Sequence, residues 1–223
     1  MKKRNKLLLA MATAGLCLTT SLPVAAQQAG DILLRLGATS VMPNDDSGAV
    51  EPLAGTGVSV DDGTSLGITV TYMVSDTFGV EVLGALPFSH DITGNKGAID
   101  GVSVGKVDHL PPTVTAQYHF KPASNIRPYV GAGINYTTFM DEKADSEIEA
   151  IVGETDISLD DSFGLALSAG VDIDINEDWY FNTSVWYIDI DTEATLKTAG
   201  AGELEVDVEI DPWVVMLGVG TRF

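Results

Sequence analysis

Apolar and polar residues alternate along most of this chain. The pattern is sharpest at residues 213–223. There Trp213, Val215, Leu217, Val219, Thr221 and Phe223 share one parity, and Val214, Met216, Gly218, Gly220 and Arg222 share the other. A period of two is that of a strand. An apolar face with aromatics at both ends, on a strand of roughly 9–11 residues, fits one that crosses a membrane within a barrel.

The same alternation predicts strands over about 31–42, 64–74, 78–86, 113–120, 127–137, 162–175 and 179–188, and a last strand from about 203 to the terminus. On each, one face is aliphatic and aromatic. The other is largely Gly, Ser, Thr and Asn, with Arg35 and Glu81 among them. A charge in mid-strand cannot face lipid cheaply, so that face must line a polar interior. In the last strand the apolar parity changes near Pro212, from Val206, Val208 and Ile210 to Val215, Leu217 and Val219. A bulge at Asp211-Pro212 accommodates the change.

Connections near 43–63, 89–105, 141–161 and 196–202 are long, whereas those near 75–77, 121–125 and 176–178 are short. Bacterial barrels have short periplasmic turns and longer outer loops. The reading is an all-β protein: an eight-stranded antiparallel transmembrane β-barrel with short periplasmic turns and long extracellular loops. The alternative is an exported soluble barrel, with apolar residues inward and polar residues outward.

Composition supports export. Lys2, Lys3, Arg4 and Lys6 precede an apolar run over 7–22, and Val24, Ala25 and Ala26 offer small residues before Gln27. Residues 1–26 are therefore expected to be a signal peptide and 27–223 the outer-membrane barrel. Cys17, the only cysteine, leaves with the leader, so the barrel carries neither disulfide nor thiol chemistry. Taking four of the 12 basic residues leaves 8 against 32 acids, which carries the net charge from −20 to −24. Such a balance argues against nucleic acid as a partner.

No catalytic constellation stands out, and no enzyme activity or cofactor is expected. His90, His109 and His119 are scattered along the chain and read as structural or interface histidines rather than metal ligands. The acids of 141–161 (Asp141, Glu142, Asp145, Glu147, Glu149, Glu154, Asp156, Asp160 and Asp161) oppose one Lys143. They read as a solvated, repelling surface. The competing reading is loose bridging, through divalent cations, to lipopolysaccharide phosphates.

Four segments carry a resemblance to a known family. They are residues 107–113 (VDHLPPT), 127–139 (RPYVGAGINYTTF), 186–192 (WYIDIDT) and 211–213 (DPW). Together they resemble the OmpW family of small outer-membrane proteins, across nearly the whole chain after the leader. The resemblance implies a barrel with a narrow hydrophobic channel that takes up small hydrophobic solutes. The solute would leave sideways into the bilayer through an opening in the wall. The family's apolar constriction matches Leu83 and Trp186, both of which the alternation also places inward. Trp186 reads either as a gate that touches solute or as a packed plug. Pro111 and Pro112 are candidates for the lateral opening, because proline lacks the N–H that a ladder needs. The terminal Phe223 resembles the signal read by the outer-membrane assembly machinery. Outer-membrane lipids, lipopolysaccharide and small hydrophobic solutes are the other expected partners of a monomeric barrel. The competing function is a closed structural barrel whose loops contact phage, bacteriocin or host surfaces.

Overall fold

The computed structural model describes residues 27–44, 46–47, 55–121 and 125–223. The expected leader lies outside the described residues. In chain order the elements are β1 (Ile32–Met42), β2 (Asp46–Ser47), β3 (Gly57–Val60), β4 (Gly63–Met73) and β5 (Phe78–Ala85). Next come β6 (Phe88–Lys96), β7 (Ser103–Leu110), β8 (Thr113–His119), β9 (Ile126–Ala144) and the helix α1 (Ser146–Val152). The remainder are β10 (Thr155–Leu159), β11 (Ser162–Asp174), β12 (Trp179–Ile188), β13 (Asp191–Thr198), β14 (Gly202–Glu209) and β15 (Trp213–Arg222).

Eight of these strands close a barrel in the order β1-β4-β5-β8-β9-β11-β12-β15, with β15 returning to β1. Every pairing is antiparallel. Closure satisfies the backbone and removes the free edge, which is the requirement for crossing lipid with strands. Side chains follow the expected alternation. Leu36, Ile68, Val82, Val130, Leu167 and Val219 stand exposed on the outer surface, while Arg35 and Glu81 are 0% and 1% exposed inside. That orientation excludes the soluble alternative. Tyr72, Phe78, Tyr118, Phe120, Trp179 and Phe223 ring the outside near the short turns, and Tyr136 and Trp213 stand near the opposite rim. These are the two aromatic girdles of a membrane barrel.

The lower lumen, towards the short turns, is packed with polar groups. Arg35 on β1 binds Asp172 on β11 through Nε–Oδ1 (3.0 Å) and Nη2–Oδ2 (2.9 Å), and Glu81 on β5 through Nη1–Oε2 (3.0 Å). Thr71 accepts from Nη1 at 2.8 Å, and Asn182 donates to Asp172 at 2.8 Å. The rings of Tyr129 and Tyr180 lie 4.8 and 5.9 Å from the guanidinium carbon. Tyr180 fits only because Gly220 presents no Cβ to its ring. Arg127 pairs with Asp174 in the same region.

Above the barrel, three of the four connections expected as loops are built structure. β6 and β7 form a hairpin that β3 extends, and β7 pairs with the upper end of β9. The acidic stretch 141–161 holds the end of β9, then α1 and β10, with Ile148, Val152 and Ile157 buried. Asp145 caps α1 by accepting from the Glu147 N–H at 3.0 Å, and that hydrogen bond pulls its carboxyl below the usual range. β10, β13, β14 and β2 form a second sheet. The expected bulge at Asp211-Pro212 is instead a change of sheet: β14 belongs to the outer sheet and β15 to the barrel. Asp211 turns the chain there with φ +37°. Even-numbered residues face inward in both strands; the apolar parity changes because β14 has water outside it and β15 has lipid, so Leu217 and Val219 stand on the outer face.

Arg35→Met alone leaves two carboxylates buried without a counter-charge, which is expected to lower stability by roughly 3–5 kcal/mol. Arg35→Met/Glu81→Gln/Asp172→Asn should recover much of that loss. Urea unfolding of the vesicle-inserted barrel measures both, and an unchanged midpoint in the single variant would contradict the bridging role.

Candidate functional site

The polar floor ends where the lumen turns apolar. Leu83, Trp186, Val214 and Met216 are 3%, 0%, 1% and 0% exposed and belong to one continuous apolar cluster with Val41 and Phe88. From there the cluster rises into the outer strands. β14 shows how the wall is made: Leu204, Val206 and Val208 face in and are buried, while Glu203, Glu205, Asp207 and Glu209 face solvent. The result is a funnel with apolar walls and an acidic outside. Its side chains nearly meet, leaving about 40 Å³ that a water-sized sphere can occupy.

The wall beside the funnel is interrupted. The β5–β8 ladder stops at Leu83↔Thr113, and the β6–β7 ladder starts at Phe88↔His109. Between them lie residues 84–87 on one side and 110–112 on the other. Each side remains tied to its outer neighbour, through Leu86 N to Leu66 O (3.0 Å) and Tyr136 N to Pro112 O (3.1 Å). Among the described residues no backbone hydrogen bond joins the two sides. Pro87, Pro111 and Pro112 explain the slot, since none has an N–H to offer. Inside the slot lie Leu83 and Phe88, while Leu86 outside it is 61% exposed. Register places the slot beside Tyr136, at the outer girdle.

The structure places Leu83 and Trp186 in one buried apolar cluster and pairs Leu83 with Thr113, next to Pro111 and Pro112. Pro111 is buried and Pro112 exposed. Trp186 Nε1 has no hydrogen-bond partner among the described residues, which is a cost for a buried donor. Phe223 is remote from this region. It is 73% exposed, and its backbone exchanges hydrogen bonds with Ile32 (2.9 and 3.0 Å) at the lower rim.

Sequence reasoning missed Pro87, which forms the other lip of the slot, and read Phe88 and His90 as the edge of a loop. It also treated the histidines as unrelated. His90 and His109 face each other in the funnel wall with ring centroids 4.8 Å apart, next to Phe88 and Phe139. Burial pushes the His109 imidazole down to about 3, and His90 adds to the effect. Burial lowers His90 as well, against the opposing pull of the Asp61 carbonyl and of Asp62 and Asp108. The local parity was a usable signal, because His90 alternates in phase with Phe88 and Ile92. His119 lies in the polar floor, 3.1 Å from Gln117 and against the Tyr129 ring.

Among the described residues, acids converge at one place, outside the 141–161 stretch. Carboxylate oxygens of Asp189, Asp191 and Asp211 lie within 4.8 Å of one another. Asp211 also accepts from Tyr187 OH (3.0 Å) and Ile190 N (3.2 Å). Burial, then Asp189 and Asp211, push Asp191 up. Oxygen donors of this kind suit a hard cation.

Residues 28–223 match the OmpW family. The chain is 46% identical over 212 residues to outer membrane protein W of Vibrio cholerae serotype O1, covering 94% of this chain and 96% of that protein. It is also similar to the crystal structure of the outer membrane protein OprG from Pseudomonas aeruginosa, with 40% identity and a TM-score of 0.83, over 89% of this chain and 98% of that one. A more distant relative, 26% identical over 169 residues and covering 76% of each chain, is the dibenzothiophene metabolism operon protein PahQ of Pseudomonas aeruginosa. The relatives named outer membrane protein W are named as membrane proteins, not as enzymes.

The chain has three tryptophans, and the geometry separates them: Trp179 and Trp213 are each 49% exposed on the lipid face, and Trp186 is enclosed. Brominated lipids are expected to quench the first two and to spare Trp186. Fluorescence of a Trp179→Phe/Trp213→Phe variant in brominated vesicles checks this, and strong quenching there would place Trp186 at the lipid.

Proposed function

Because the chain belongs to the OmpW family and resides in the outer membrane, we propose that it passes small apolar solutes from outside into the bilayer. The carrying observation is the slot between residues 84–87 and 110–112, which opens beside an apolar funnel and above a polar floor. A solute that enters from the top meets apolar walls as far as Leu83 and Trp186. Below them, the Arg35–Glu81–Asp172 network offers charged and hydrogen-bonding groups bound to one another. An apolar molecule gains nothing by displacing them, so its favourable way out is sideways, through the slot into lipid. The PahQ name, which refers to the metabolism of an apolar aromatic compound, is consistent with this class of solute.

In this reading Leu83 and Trp186 are the constriction, Pro111 and Pro112 with Pro87 keep the lateral opening unpaired, and Phe223 is the assembly signal. The leader at 1–26 is removed on export, and the barrel works as a monomer among outer-membrane lipids and lipopolysaccharide.

Vesicles with lipopolysaccharide in the outer leaflet slow direct partitioning and make the route measurable. Leu83→Ala and Trp186→Ala are expected to raise the uptake of an apolar fluorescent probe into the bilayer. Pro87→Ala/Pro111→Ala/Pro112→Ala restores ladder donors and is expected to lower it. Unchanged uptake in all three folded variants would overturn the proposal and favour a closed barrel that acts through its outer surface.

A further inference from the structure

Within the funnel two groups have no use for a purely apolar solute. His90 is 3% exposed, and its ring lies over Gly63, where a Cβ would come 2.8 Å from Nε2. Gly63 pairs with the inward-facing Val41, so Nε2 lies on the lumen side of the wall. The other ring nitrogen, Nδ1, is 2.6 Å from the carbonyl oxygen of Asp61. A carbonyl only accepts, so Nδ1 carries the proton and donates. In the neutral ring this leaves Nε2 as a bare acceptor. No hydrogen-bond partner meets it, and an unpaired acceptor in an apolar wall is unfavourable.

His109 lies beside it. Its ring contacts Phe88 at 5.5 Å, His90 at 4.8 Å and Phe139 at 6.0 Å. No hydrogen bond joins it to the described residues, so ring contacts alone hold it in place. It can swing aside for an incoming group without breaking a polar contact. Burial keeps both imidazoles neutral.

We infer that the His90–His109 pair is a hydrogen-bonding station, and that the solutes it selects are apolar bodies carrying one donor, such as an alcohol or a phenol. The inference rests on the proposed uptake of apolar solutes and narrows it. The solute's hydroxyl displaces the His109 ring and donates to His90 Nε2, while its hydrocarbon part remains against Phe88 and Phe139. An ionised carboxylic acid brings no donor, and it meets the field of Asp61, Asp62 and Asp108, which reaches His90.

The test compares 4-tert-butylphenol with tert-butylbenzene on the full chain in lipid nanodiscs, each corrected for partitioning into empty discs. One added hydrogen bond is expected to make the phenol bind roughly two- to tenfold tighter. In protein labelled with ¹⁵N-histidine, the phenol should shift the His90 Nε2 resonance and the hydrocarbon should not. His90→Phe is expected to remove the preference while hydrocarbon binding persists, and His90→Gln, which keeps an acceptor, to retain part of it. Heat-modifiable gel migration shows which variants have folded. If His90→Phe does not fold, the wild-type resonance and His90→Gln decide. Equal binding of the two probes, an unmoved resonance or a preference that survives His90→Phe would overturn the inference and leave apolar uptake standing. Failure of both probes to bind would overturn both.

Discussion

The guanidinium of Arg35 joins three strands spread around the barrel. It lies on β1 and holds Glu81 from β5 and Asp172 from β11 within 3.0 Å. Three charges away from water are tolerable only when they are paired and hydrogen-bonded, and here Thr71, Asn182 and two tyrosine rings add to the ion pairs. The rest of the molecule depends on this packing. It fills the lower lumen with paired charge beneath the apolar funnel.

The upper half obeys the opposite rule. Its walls come from long connections whose strands point apolar residues inward and acids outward, as in β14. A narrow barrel is thereby extended beyond the girdle without presenting apolar surface to water. The slot arises where this extension meets the barrel on the β5–β8 side. There the chain kinks from one to the other through Pro87 on the way out and Pro111-Pro112 on the way back. The same prolines that interrupt pairing therefore mark the junction of two architectures.

Much of the barrel was legible in the sequence because a period of two is a local signal. The inward faces of β1, β4, β12 and β15 follow directly from alternation, and a mid-strand Glu81 has one physically sensible direction. The outer strands were not legible. Gly94, Asn95, Gly97 and Gly101 surround the β6–β7 turn and look like a loop, and acids mask the buried Ile148 and Ile157 in the stretch after β9. The parity change before Trp213 was visible, but its cause was not: the same inward parity has water outside it in β14 and lipid outside it in β15. The candidate site was legible in part. Leu83 and Trp186 followed from the alternation together with the family resemblance. The meeting of His90 with His109, and of Pro87 with Pro111, is a tertiary fact that no local pattern encodes.

The seam between β1 and β15 runs through ten registers, from Leu33↔Arg222 to Met42↔Trp213. It is formed by the two barrel strands most distant along the chain, so the wall is an open sheet with two raw edges until β15 docks. Arg35 sits on one of those edges. Until the seam shuts, its charge has no sealed interior to occupy, and an unclosed sheet would carry that charge towards lipid. Ionic packing and closure are thus satisfied together. A half-assembled barrel is poorly soluble in the bilayer, and only the completed one can settle there.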